Sequence, residues 1–162
     1  MLDLVIHPDD RLREVSTSVG DVDAEMQELA ERMIDTMHEE SGIGLAGVQV
    51  GRLERIFVVH VSNDKPRVFI NPEIIGTTIE ETSYEEGCLS IPGVYADVVR
   101  PEGVTVQALN ERGRPFRLDA DGMLARVILH EFDHLKGVLF IDYLSERKRQ
   151  KLMSKYERVA GG

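Results

Sequence analysis

The stretch DGMLARVILHEFDHLKG, residues 121–137, decides the fold. Asp121 stands where a helix N-cap is wanted and Gly137 where a helix stops, so the sequence predicts a helix from about Met123 to Lys136. Inside it lies His130-Glu131-Phe132-Asp133-His134. Residues at i and i+4 sit about 40° apart around a helix and roughly 6 Å apart along it. Both imidazoles can therefore reach one metal ion, and Glu131, one residue on, can touch a water on that ion. Val127, Ile128 and Leu135 flank the motif and face the helix into a core.

Upstream of this helix the hydrophobic period is two. Ile56–Val61 and Val68–Ile70 read as strands, as do the alternations around Val104, Val106 and Ala108 and around Phe116 and Leu118. Asn110-Glu111-Arg112-Gly113 predicts a hairpin turn, with Gly113 supplying a positive φ. Links this short favour antiparallel pairing. Further upstream, Met26, Leu29, Ala30, Met33, Ile34 and Met37 form the stripe of a core-facing helix, capped by Asp23 and ended by Ser41-Gly42. A last helix, at about 146–159, has apolar positions only at Leu152, Met153, Tyr156 and Val159 and is expected on the surface. The expected class is α+β. Antiparallel sheets pack around a central helix carrying HEFDH, with an N-terminal helix and a C-terminal surface helix.

The 162 residues contain no repeat and no Pro/Gly/Ser-rich linker, so one domain over 1–162 is expected. At 42% hydrophobic and 30% charged, the chain is neither a disordered acidic tail nor a membrane protein. Asp3, Pro8, Asp9 and Asp10 interrupt any signal-peptide pattern, and a cytoplasmic chain with no membrane partner is expected. The lone Cys88 excludes an intramolecular disulfide framework. A net charge of −10 argues against DNA or any whole-surface nucleic-acid partner. That charge is uneven: residues 145–162 carry +4 and the remainder −14.

Two histidines leave a catalytic-type site short of one protein ligand. Glu146 and Glu157 lie downstream, where H-E-x-x-H peptidases usually take theirs, but both fall in the basic helix. Cys88, in Glu86-Gly87-Cys88-Leu89-Ser90, is the other candidate, and its alternative is a buried free thiol. It is expected in a turn between strand-like segments. A glycine-rich run, Gly42-Ile43-Gly44-Leu45-Ala46-Gly47-Val48-Gln49-Val50-Gly51, permits tight turns and close backbone approach to a ligand. It lacks the Gly-Lys-Ser/Thr of a phosphate loop, which leaves Gln49 as a polar side chain set among apolar ones.

Together these segments resemble the peptide deformylase family, in which G-φ-G-φ-A-A-x-Q, E-G-C-L-S and H-E-x-D-H occur in this order. Here they read GIGLAGVQ (42–49), EGCLS (86–90) and HEFDH (130–134), with Gly47 where a second alanine is usual. His7-Pro8 with Leu12-Arg13 is similar to the family's start, and GVLFIDYL (137–144) to its strand after the helix. The resemblance implies a metallohydrolase that takes the N-formyl group from the formylmethionine of nascent polypeptides and releases formate. It implies Cys88, His130 and His134 as ligands of one divalent metal, Fe(II) in the cell with Zn, Ni or Co possible in purified protein. Glu131 would carry the proton, and Gln49 with the Leu89 N–H would face the developing oxyanion. A general H-E-x-x-H peptidase or a non-catalytic formyl-peptide binder are the competing expectations.

For the substrate, Met123 and Val127 precede His130 on one helix face and join Ile43 and Tyr84 as candidate walls of a methionine pocket. Gly42 to Gly44 offer backbone hydrogen bonds to an extended peptide. Arg100 is expected to pair with Asp133 or Glu86 behind the metal, where it would orient ligands. Arg126 is out of place on an apolar face; a pocket rim, with its head in water, is expected. The basic C-terminal helix is a candidate ribosome contact.

Overall fold

The computed structural model describes residues 1–161. Helix α1 (Ala24–Glu39) is capped by Asp23, whose carboxylate accepts from Met26 N at 3.0 Å. The chain then runs through β1 (Gly44–Ala46), a 3-10 turn (Gly47–Val50), β2 (Ile56–Val59) and β3 (Arg67–Thr77). A hairpin of β4 (Glu81–Cys88) and β5 (Ile91–Pro101) follows, then β6 (Gly103–Leu109), β7 (Pro115–Asp121) and α2 (Gly122–Leu135). A 3-10 turn (Phe140–Tyr143) leads to α3 (Glu146–Gly161). The strands form a five-stranded antiparallel sheet, ordered β1-β2-β3-β6-β7, and a separate β4–β5 pair.

Every residue of β2 is buried, and its alternation explains why. Phe57 and Val59 face Phe69, Val106 and the apolar side of α2, whereas Ile56 and Val58 face Leu29, Met33 and Met37 of α1. The sheet is thus covered on both faces near its β1–β2 edge. A third cluster joins Val5, Leu12, Val94, Val98 and Phe140 to Met153 and Tyr156 of α3. The last helix is therefore a surface helix with one seated face, as its sparse apolar stripe predicts.

Two local expectations fail. Asp121 occupies the N-cap position of α2, but its side chain makes no capping bond. The segment 137–144 is a turn and not a strand, because the Asp142 carboxylate accepts from Leu139 N at 3.0 Å and curls the chain. Cys88 is the last residue of β4, at the short turn into β5, so the expected turn between strand-like segments is present. The predicted hairpin turn is present, with Gly113 at φ 76° and its N–H donating to Asn110 O at 2.9 Å.

Gly137 ends α2 in the left-handed region, at φ 75°. A Cβ there would lie 2.5 Å from Arg13 O, since the N-terminal 3-10 turn (Asp10–Arg13) packs directly on the helix end. Arg13 completes the contact through Gly137 O at 3.0 Å and Asp142 at 2.6 Å. Gly137→Ala is expected to lower stability by at least about 1 kcal/mol, a few degrees in Tm for a chain of this size. Thermal unfolding measures it; an unchanged Tm would mean that the Arg13 segment yields without cost.

Candidate metal centre

Helix α2 places His130 and His134 on one face, and the end of β4 brings Cys88 to them from the hairpin. One ligand atom from each of the three residues falls within 4.8 Å of the others. His134 Nε2 is 3.4 Å from Cys88 Sγ. His130 Nδ1 donates to Glu86 Oε1 at 2.9 Å, which leaves the Nε2 lone pair for a cation. Both histidines are buried and Cys88 is half-buried; Cys88 and His130 line a cleft of about 630 Å³.

The donor set fits a divalent metal on two observations. Thiolate with two imidazoles is a soft set of the kind Zn and Fe(II) accept. Three buried carboxylates, Glu86, Glu131 and Asp133, also face only two buried guanidiniums, Arg100 and Arg126. That negative surplus, with the Cys88 thiolate added, matches two positive charges.

Glu86 is the junction of the surrounding network. Arg100 grips it twice, Nε to Oε2 at 2.6 Å and Nη2 to Oε1 at 2.9 Å, and reaches Asp133 Oδ2 at 2.9 Å. The expected choice between Asp133 and Glu86 is resolved as both. Arg126 adds Nη1 to Glu86 Oε2 at 2.6 Å. Burial alone would raise the Glu86 pKa; hydrogen bonds from His130 and Arg100 outweigh it and hold the carboxyl at about 2. Asp133 is also fixed from the far side by the Tyr143 hydroxyl, which donates to it at 2.7 Å. Burial holds His134 well below its ordinary pKa, assisted by the Arg100 charge, so it stays neutral.

Glu131 is buried, and its Oε1 has no partner among the described residues. Burial pushes its carboxyl up to about 7, the range in which a proton carrier works best near neutral pH. The site explains Gly44: a Cβ there would meet Glu131 Oε2 at 2.5 Å and Val127 Cγ1 at 2.7 Å. Gly42 is likewise pressed by Leu89 Cδ1, 2.7 Å from where its Cβ would be, so the glycine-rich and cysteine segments interlock.

Gln49 is buried, not solvated. Its Oε1 accepts from Ala46 N at 2.9 Å, which fixes the amide's orientation. Nε2 then points at Ser90 Oγ, 3.1 Å, and Cys88 Sγ, 3.4 Å. Ile43, Gly44, Tyr84, Met123 and Val127 all line the cleft, with Ile43 and Tyr84 exposed at its mouth. Leu89 lines it as well. Arg126 is not a rim residue with its head in water; it is 6% exposed and fully bonded beneath the cleft. Ser90 and Tyr143 were not anticipated. Ser90 stood in the quoted EGCLS segment, whereas nothing local marked Tyr143.

Three convergent side chains that could hold a metal ion, beside a buried glutamate in an open cleft of an α+β frame, are the arrangement of a metallohydrolase. A family model described as polypeptide deformylase matches residues 1–150. The peptide deformylase of Pseudoalteromonas translucida (strain TAC 125) is 50% identical over 164 residues, covering 98% of this chain and 96% of the relative. That of Rhizobium meliloti (strain 1021) is 44% identical over 161 residues, covering 97% and 92%. The crystal structure of peptide deformylase from Ehrlichia chaffeensis in complex with actinonin superposes with a TM-score of 0.94 at 39% identity, covering 98% and 96%. The chain belongs to the polypeptide deformylase family, metal-dependent hydrolases that remove the N-formyl group from nascent peptides.

Removing the Glu86 carboxylate leaves two buried guanidiniums without their shared partner. Glu86→Ala is therefore expected to cost about 3–5 kcal/mol of stability, read by urea unfolding. The pH dependence has a fixed sign. A carboxyl depressed to about 2 stabilises fully above its ordinary value near 4.5, and that contribution fades as pH falls through about 2. Glu86→Gln should flatten this acid limb; a parallel limb in the variant would contradict the assignment.

Proposed function

We propose that Cys88, His130 and His134 hold the metal, that Glu131 carries the proton, and that an extended N-formylmethionyl peptide lies along β1. The convergence of the three ligand atoms within 4.8 Å, beside the unpartnered Glu131 Oε1, carries this proposal. β1 is an edge strand whose other side already pairs with β2, so its free edge can add a peptide strand. The methionine side chain enters between Met123, Val127, Ile43 and Tyr84.

Cys88, His130 and His134 would hold a divalent ion, whose Lewis acidity would lower the pKa of an attacking water and allow hydrolysis near neutral pH. Glu131 Oε1 accepts the proton that the water gives up and passes it to the leaving methionine nitrogen, so formate and a free amine result. Negative charge develops on the formyl oxygen, facing the Leu89 N–H and one Gln49 Nε2 proton. Because Gln49 is pre-set by Ala46 and Ser90, its amide is not reoriented at the moment of reaction. We assign Fe(II) as the ion in the cell, with Zn, Ni or Co accepted in its place. The thiolate must stay reduced to serve as ligand, which suits a cytoplasmic setting. No helix among the described residues is long and apolar enough to cross a membrane.

Metal-loaded protein prepared anaerobically is expected to release formate from a formyl-Met peptide, and absence of formate would reject the function. Glu131→Ala should keep its metal, measured by elemental analysis, and lose at least about 100-fold in turnover. Loss of metal together with activity would reassign Glu131 to metal retention.

The second proposed partner is the ribosome, reached through α3, whose Arg147, Lys148, Lys151, Lys155 and Arg158 are exposed. Deleting the helix is a poor test, because Met153 and Tyr156 are buried and the Tyr156 hydroxyl donates to His7 O at 2.9 Å. The triple variant Arg147→Glu, Lys151→Glu, Lys155→Glu should instead weaken low-salt ribosome co-sedimentation and spare cleavage of short formyl peptides. Unchanged co-sedimentation would remove this partner.

A further inference from the structure

Arg126 is the buried cation that the chemistry above does not use. It is 6% exposed and shares the cleft-facing side of α2 with Met123, Val127 and His130. Its guanidinium donates to Glu86 Oε2 at 2.6 Å, Val98 O at 2.8 Å, Thr82 O at 2.8 Å and Thr82 Oγ1 at 3.2 Å. Glu86 and Thr82 lie on β4, Val98 on β5. Arg126 is therefore a direct bridge from the helix that carries both histidines to the hairpin that carries the cysteine.

Arg100 already holds both oxygens of Glu86, so neutralising that carboxylate does not require a second guanidinium. What Arg126 adds is geometry. Arg126 and His130, one turn apart on α2, hold opposite oxygens of a single carboxylate two residues before Cys88. Two-point attachment of a helix to a strand fixes both its rotation and its register. Carbonyls of the two hairpin strands then lock the guanidinium plane, a task suited to a planar fork of donors and not to an ammonium.

We propose that Arg126 is a positioning residue that sets the spacing between the Cys88 thiolate and the two imidazoles by docking α2 onto the β4–β5 hairpin. It also stiffens one wall of the substrate cleft, since Tyr84, at the mouth, has its ring centroid 5.7 Å from the guanidinium carbon. The inference rests on the ligand set proposed above, but not on the reaction.

The test is spectroscopic and needs no substrate. Co(II)-loaded wild type, Arg126→Met and Arg126→Lys are compared by their thiolate-to-cobalt and d–d absorption bands and by the rate of cobalt loss to a chelator. Met33→Ala, in the fully buried face of α1 away from the cleft, serves as a control of lowered stability. Arg126→Met should shift the bands and speed metal loss on the order of 10- to 100-fold, the range for outer partners of metal ligands. Arg126→Lys, which keeps the charge and loses the fork, should fall between it and wild type, and it keeps the test open if the Met variant does not fold. Met33→Ala should lower Tm and leave bands and release rate unchanged. Bands and release rates unchanged in the Arg126 variants, with only Tm lowered, would overturn the proposal and leave Arg126 a structural residue. Wild-type protein that shows a thiolate–cobalt band without releasing formate would sink the reaction while leaving this inference standing.

Discussion

The Glu86 carboxylate is the contact on which the rest of the site depends. It is buried and receives two guanidiniums and one imidazole, a concentration of charge-assisted bonds that no surface carboxylate can gather. Its partners come from two other elements: His130 and Arg126 from α2 and Arg100 from β5, while Glu86 itself is on β4. Satisfying this one group therefore requires the hairpin and the helix to meet at one separation. An ion network of this kind adds little net stability compared with apolar packing, because desolvation consumes most of the attraction. Its effect is on geometry, which is what a metal site needs.

The apolar packing explains why such an expensive cluster can be kept. Two hydrophobic clusters sandwich the sheet between α1 and α2, and a third lies beneath the hairpin and α3. The charged network sits where these clusters meet and fills none of them. Helix α2 belongs to the sheet cluster through Ala125, Val127, Ile128 and Leu135, while Cys88 packs against the hairpin cluster. The proposed ligands thus come from elements of two different hydrophobic clusters, joined through Glu86 and, behind it, by the Tyr143–Asp133–Arg100 chain.

What was legible in the sequence follows from where each signal resides. The amphipathic stripes of α1 and α2, the HEFDH spacing and the Gly113 turn are local, and each appears where its pattern put it. The turn at Cys88 is legible but the length of the strand before it is not, because β4 reads ETSYEEGC and is almost wholly exposed along its length. A strand with no apolar face is held by its partner and by buried ends, neither of which is written in a period of two. β1 escaped for a different reason: three residues with a glycine carry no strand propensity, and pairing with the buried β2 imposes the conformation. Arg126 was read as a rim residue since its polar partners lie 28 to 44 residues away in the chain. An arginine on an apolar helix face is a local anomaly whose resolution is non-local.

The same distinction bears on why one proposed ligand is a cysteine at a strand end while the others share a helix. A third ligand on α2 would leave the centre on one wall of the cleft, with nothing to connect it to the other. Cys88 lies at the β4–β5 turn, where the register slips between Gly87 and Cys88, so its side chain is released from the strand alternation and can turn inward. Gly87 makes room for that turn, since a Cβ there would lie 2.6 Å from the Tyr95 ring. The next residues put Leu89 against Gly42 and Ser90 against Gln49, so the segment that presents the thiol also closes onto the glycine-rich strand that borders the cleft. The proposed ligand, oxyanion donors and peptide-binding edge are consequently set by one short turn. A substitution that reopened the Gly87–Cys88 slip would displace all three at once.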